Sequence, residues 1–240
     1  MWLALETATD RASVAVGERA ADAVEEHLSG ARRHAGALLP MIETVLRRRK
    51  VTLAQVSGLL VSDGPGSFTG LRVGATAAKA LARARGLPLW TAPSLMVRAA
   101  AVVARGGAGL VLAASDALRG EVYAGVFRFA PGRVITEREP AVWRPEALAR
   151  LELAPEVLVG EVPPAARSVL ERGTGLRMIV PPEGSPRAGA LIALVSLAGG
   201  ARLVPEPAEW EPVYGRPAEA QARWEMAHGR PLPDSVGGPR

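Results

Sequence analysis

At 240 residues the chain has room for one or two domains of roughly 100–200 residues each, and 48% hydrophobic with 22% charged residues is the make-up of a soluble protein with a real core. The 29 basic and 24 acidic side chains leave a formal charge of +5, which permits contact with nucleic acid or an acidic partner but does not demand it. Lack of cysteine excludes disulfides, thiol catalysis and thiolate metal sites, and no run of about 18 apolar residues marks a membrane span.

The N-terminus enters an alternating strand at once, without the basic start and apolar core of a signal peptide, so a cytoplasmic protein is expected. There is no asparagine and there are only two glutamines, a depletion that suits a heat-adapted host. Strands are predicted over 2–6, 12–17 and 21–28, the first two separated by the Thr9-Asp10 turn. A helix over 31–49, a strand over 58–62, a helix over 69–85, a strand over 87–90 and a helix over 94–105 complete a βββαβαβα order. Gly106-Gly107-Ala108-Gly109 is a flexible break, and the order then repeats. Strands are expected over 110–115, 121–130 and 134–138, with a short helix opening at Pro145, a good first helical residue. A strand over 157–160, a helix over 164–171, a strand over 176–180 and a helix over 186–198 follow. Two successive units of this order predict an α/β fold of two tandem ribonuclease-H-like, actin-like lobes, residues 1–105 and 106–228, the second smaller and less regular. A helix over 218–227 and a disordered tail over 229–240 close the chain.

The most informative stretch is Asp63-Gly64-Pro65-Gly66-Ser67-Phe68-Thr69-Gly70-Leu71-Arg72, a Gly-rich turn between a buried strand and an Ala-rich helix. Ser67 or Thr69 can cap that helix. Free N–H groups at a helix start can cradle an anion, which makes Gly64, Gly66, Ser67 and Thr69 weak candidates for a phosphate site. The spacing is nevertheless neither G-x-G-x-x-G, because the third glycine comes one residue late, nor Gly-Lys-Ser/Thr. A plain strand-to-helix turn is the other reading.

On a helical wheel Ala35, Leu39, Ile42 and Leu46 form one stripe, enough to seat the 31–49 helix on its sheet. His34, Leu38, Met41 and Val45 form a second beside it, and the combined arc of about 160° exceeds the ~100° that a one-sided surface helix needs. Pro40 inside the pattern predicts a kink or break. The following helix carries small residues (Gly70, Gly74, Ala75, Ala77, Ala78, Ala80, Ala82, Ala84) on nearly every face, which lets another helix approach closely. Either both helices are buried in one lobe, or they form a four-helix contact with another subunit. The basic run Arg47-Arg48-Arg49-Lys50 suits a helix C-terminus, with an RNA-binding patch as the alternative.

No catalyst emerges. His27, His34 and His228 make no His-x-x-x-His pair for a metal, and no G-x-S-x-G nucleophile is present. Glu6 and Asp116 end the first strands of the two units and are the weak candidates for a carboxylate pair.

The Gly64–Arg72 loop closely resembles the signature of the YeaZ/TsaB family, which is similar to the glycoprotease-like proteins of the actin, sugar-kinase and heat-shock ATPase superfamily. Further resemblance lies in His34 with Leu38-Leu39-Pro40, in Pro93-Ser94-Leu95, in Asp116–Tyr123 and in Pro212-Val213-Tyr214-Gly215-Arg216. It departs at Glu6, where the family more often has Asp, and at Leu118, where Arg is common. The resemblance implies a non-catalytic, cofactor-free and metal-free subunit that pairs with TsaD, the enzyme transferring threonylcarbamoyl to adenosine 37 of tRNA. TsaE would join the assembly, and tRNA would be contacted indirectly. It implies pairing, with TsaD or with a second copy, through His34, Leu38, Met41 and Val45 on one helix and Arg72, Val73, Gly74, Ala77, Ala80 and Leu81 on the next. An autonomous ATP-dependent phosphotransferase is the main rival, and a metallopeptidase a weaker one.

Overall fold

The computed structural model describes residues 1–30, 34–103, 109–152 and 154–215. Eleven strands in these residues make two sheets. The first half supplies β1 (Trp2–Glu6), β2 (Arg11–Gly17), β3 (Val24–Ser29), α1 (His34–Arg49), β4 (Gly58–Ser62), α2 (Phe68–Arg85), β5 (Leu89–Ala92) and α3 (Ser94–Val103). The second supplies β6 (Gly109–Asp116), β7 (Val122–Ala130), β8 (Arg133–Trp143), α4 (Pro145–Ala149), β9 (Val157–Glu161), α5 (Pro164–Thr174), β10 (Met178–Ile179), α6 (Ala188–Val195) and β11 (Arg202–Val204). Sheet order is β11-β5-β4-β1-β2-β3 in one and β10-β9-β6-β7-β8 in the other. Apart from β11, the two repeat one topology: an antiparallel three-strand meander whose first strand pairs in parallel with the fourth, and the fourth with the fifth. This is the duplicated ribonuclease-H-like fold that the element order predicts.

Strand alternation divides the interior into three apolar layers. In β1, Leu3 and Leu5 face outward to α1 and α2, while Ala4 faces the second sheet. In β6, Leu110 and Leu112 face α5, while Val111 and Ala113 face inward. The central layer holds two helices that have exchanged sheets. Helix α3 follows β5 but packs on β6, β7 and β9, whereas α6 follows β10 but packs on β1, β2 and β4. The inward residues Ala4, Ala15, Ala92 and Ala113 are small, which lets the exchanged helices approach. The chain then returns to add β11 antiparallel to β5.

Several boundaries differ from the sequence reading. Helix α1 runs through Pro40 without a break. Pro40 and Gly36 both face solvent, so the Gly36 carbonyl, which loses its i+4 donor, is left where water can reach it. Strand β8 extends across Pro140 to Trp143, because an edge strand leaves one side free of ladder bonds and the register skips locally between Ala124 and Val126. Strand β5 starts at Leu89, two residues later than predicted, since Gly86 caps α2 at φ 63° and Pro88 belongs to the connection. Strand β11 was not anticipated. The predicted helix over 218–227 and tail over 229–240 lie outside the described residues. No helix among the described residues is long and apolar enough to cross a membrane.

Candidate functional site at the loop after β4 and the outer helical face

The loop after β4 is tied to three other parts of the chain. Ser67 N donates to Ala8 O (2.7 Å), Ser94 N to Gly64 O (2.8 Å) and Val213 N to Asp63 O (2.6 Å). The glycines are needed for close approach. A Cβ at Gly66 would strike Ala8 O, at Gly70 Thr7 O and at Gly74 the Thr7 hydroxyl. Gly64, at φ 105°, lies with no room for a side chain against Val213 O. Helix α2 is therefore pressed onto the β1–β2 turn. The Ser67 side chain accepts from Gly70 N (3.2 Å) as the N-cap, and Thr69 is exposed. The Thr7–Ala8 backbone therefore packs against the side-chain faces of Gly66 and Gly70.

The two candidate carboxylates meet different fates. Glu6 is fully buried and accepts from Ala8 N (2.7 Å); burial pushes its carboxyl up to about 7, against the pull of the Ala8 N–H, the Ser62 hydroxyl and Arg98. Arg98, from α3, is itself buried and donates to Gly184 O (2.6 Å), with Glu161 3.6 Å away. Burial lowers its pKa and the two carboxylates counter that. Asp116 instead lies on the surface, its Oδ1 accepting from Leu118 N (2.8 Å) in a turn where Leu118, Arg119 and Gly120 all have positive φ. Glu6 and Asp116 thus share no solvent-open site. Among the described residues no group of three or more His, Asp or Glu is arranged to hold a metal.

The outer helices require a correction. His34, Leu38, Met41 and Val45 do not face outward; all are buried, with Ile42, against the first sheet. The His34 ring lies 3.4 Å from Asp10 O. Of the other stripe only the N-terminal end is open: Leu39 is 60% exposed and Ala35 is exposed, while Leu46 is half-buried and Ile42 is covered. Two adjacent apolar stripes look alike on a wheel, and the sheet's position decides between them. On α2, Gly74 is buried against Thr7, Val73, Ala77 and Leu81 are half-buried, and Arg72 and Ala80 are exposed.

The open face gains a third component that sequence reasoning missed. Phe68, 36% exposed, contacts Tyr214 at 4.7 Å between ring centroids, and the Arg72 guanidinium lies 5.5 Å over the Phe68 ring. Glu211 pairs with Lys79 of α2 (2.8 Å) and accepts from the Tyr214 hydroxyl (3.2 Å). The segment after β11 thereby straps α2 along its length. The usable signals were Phe68 within the loop motif and the aromatic residues of 210–214.

Comparison with known proteins adds to this geometry. A family model described as TsaD: tRNA N6-adenosine threonylcarbamoyltransferase matches residues 28–168, more than half of the chain. The tRNA threonylcarbamoyladenosine biosynthesis protein TsaB of Escherichia coli K12 is 38% identical over 122 residues, which is 50% of this chain and 52% of that protein. Its Haemophilus influenzae counterpart is 40% identical over 121 residues, 50% and 51% of the two chains. The matches span about half the length of these curated relatives. Among solved structures, YeaZ from Pseudomonas aeruginosa superposes with a TM-score of 0.72 at 29% identity, covering 89% of this chain and 98% of that one. A protein described as uncharacterized, with similarity to peptidase YEAZ from Pseudomonas aeruginosa, gives 0.75 at 31% identity, covering 90% and 99%.

Proposed function

The chain belongs to the YeaZ/TsaB family, and on that premise we propose that it serves tRNA N6-threonylcarbamoyladenosine formation in the cytoplasm as a non-catalytic subunit. In this reading it docks TsaD through the open face of α1 and α2, and TsaD carries out the transfer to tRNA. TsaE joins the pair, and a second copy of the chain competes for the same face.

The observation that carries the reading is the open outer face itself. Leu39 and Phe68 expose apolar surface on two helices that also expose small residues such as Ala35, Gly36, Thr76 and Ala80, while charged residues such as Glu43, Arg48, Arg72 and Arg83 are exposed on the same helices. A second pair of helices can approach such a surface closely and bury it. The carboxylate at the end of β1 supports the same conclusion, since Glu6 is sealed from solvent.

The test is co-purification of tagged TsaD with this chain and with its Leu39→Asp variant, followed by tRNA modification with and without the chain. The parent should co-purify and raise modification. Leu39→Asp should retain the parent's thermal unfolding and lose both. Unchanged co-purification of Leu39→Asp counts against the assigned face. Micromolar Mg-ATP binding with turnover by the chain alone, measured by calorimetry, would favour the phosphotransferase instead.

A further inference from the structure

A cleft of about 300 Å³ opens beside the loop after β4, between β8 and the segment that carries Val213. At its base the buried Asp63 carboxylate accepts from Nη2 of Arg202, whose Nε donates to the Thr91 hydroxyl (3.3 Å). Guanidinium has five N–H donors. Two are used here, and the other three have no partner among the described residues. The Arg202 side chain is 64% exposed, so its free edge is open to solvent. A fully buried carboxylate is a costly way to hold a surface arginine in place. What it achieves is orientation: a guanidinium held through Nε and Nη2 keeps its planar fork aimed, and such a fork matches a carboxylate with two parallel hydrogen bonds.

The rest of the lining narrows the ligand. Glu139, at the point where the β7–β8 register slips, places an exposed carboxylate on the rim. With Asp63 and Arg202 the charged lining sums to −1, which disfavours a simple anion and leaves a place for a cation. Tyr123 and three prolines form the walls, and Val142 and Val213 expose apolar surface at the same cleft. We propose that this cleft binds a small zwitterion of the α-amino-acid class. Its carboxylate lies on the free edge of Arg202, its ammonium faces Glu139, and a short apolar side chain rests against Val142 and Val213. The proposal does not rest on the docking of TsaD, and either can fail without the other.

Calorimetric titration of the full chain with L-valine, L-threonine, N-acetyl-L-valine, L-valine methyl ester and inorganic phosphate tests it. L-Valine or L-threonine should saturate with a dissociation constant of about 1 mM or tighter, and the methyl ester should bind at least about tenfold more weakly. Arg202→Gln should weaken the amino acid by a similar factor. Glu139→Gln, which leaves the Asp63–Arg202 pair intact, should weaken L-valine but not N-acetyl-L-valine, which has no ammonium. If Arg202→Gln does not fold, the Glu139→Gln contrast still decides. Lack of saturation by either amino acid below about 10 mM overturns the proposal. So does tighter binding of phosphate than of L-valine, or equal affinity for L-valine in the parent and in Glu139→Gln.

Discussion

The two halves of the molecule share a strand order and differ in almost everything their strand ends and outer helices do. At the end of β1 the carboxyl of Glu6 is fully buried; at the matching end of β6, Asp116 is exposed in a tight turn. Outside the first sheet lie α1 and α2, 16 and 18 residues long, with an open apolar face. Outside the second lie α4 and α5, only 5 and 11 residues, packed against each other. A duplicated topology therefore fixes where a site can be, while local side chains decide whether the place is sealed, open or merely structural. The docking surface we propose lies on the half with the longer outer helices.

The largest expected effect separates the two stripes of α1. Val45→Asp puts a carboxylate into a layer with no exposure and no partner, and should cost more than about 4 kcal/mol, enough to leave the chain insoluble or unfolded. Leu39→Asp, one stripe away at 60% exposure, should change stability by no more than about 0.5 kcal/mol. Thermal unfolding of both variants by circular dichroism checks this. Similar stability for the two would mean that the seated and open stripes have been assigned the wrong way round.

The sealed end of β1 predicts a pH dependence of stability that comes from Glu6. Burial holds the Glu6 carboxyl at about 7 in the folded chain, above its ordinary value of 4.5. The folded state thus keeps a proton that the unfolded state has released, and the stabilisation from this group is complete below pH 4.5 and lost as pH rises through 7. Linkage puts the loss at about 3 kcal/mol at most between those limits. Asp63, also raised by burial although Arg202 opposes it, adds a slope of the same sign. Glu6→Gln should flatten a denaturant-midpoint profile between pH 4.5 and 7. Equal profiles for Glu6→Gln and the parent would mean that the carboxyl is hydrated.

The glycines of the loop after β4 come next. Gly70→Ala forces a methyl group onto the Thr7 carbonyl and should cost about 1–3 kcal/mol, lowering the unfolding temperature by several degrees. A ligand-cradling glycine would instead tolerate alanine in the ligand-free chain, so a neutral result would revive the anion-site reading.

Much of this was legible beforehand, for identifiable reasons. Alternation marked β1 and β2, and the short continuous apolar run Leu59-Leu60-Val61 marked β4, a strand with one face on each of two apolar layers. The loop spacing marked the start of α2. What the sequence could not carry was the choice between equivalent surfaces. Periodicity says that Leu38 and Leu39 both lie on apolar stripes, and the relation of helix to sheet decides that Leu38 is covered and Leu39 is not. The same limit hid the exchange of α3 and α6, since an apolar helix between two sheets reads alike whichever sheet it covers. Strand β11 has only three residues and owes its existence to pairing with β5, a long-range contact without a local signal.

The smallest effect offers the finest discrimination between the two outer layers, because each has a glycine within a helix. A Cβ added at Gly36 of α1 meets nothing within 4 Å, whereas one at Gly173 of α5 would lie 2.5 Å from the Ala149 Cβ of α4. Alanine at position 36 removes backbone freedom from the unfolded chain without a clash and should stabilise by about 0.5–1 kcal/mol. At position 173 the same gain is outweighed by overpacking of about 1–3 kcal/mol. Opposite signs in urea denaturation would establish that the first half keeps an open helical face where the second has closed its own. The pair then sharpens the docking proposal. If helices of a partner approach α1 closely, Gly36→Ala makes the isolated chain more stable and the complex weaker, a divergence that a purely solvated face would not produce.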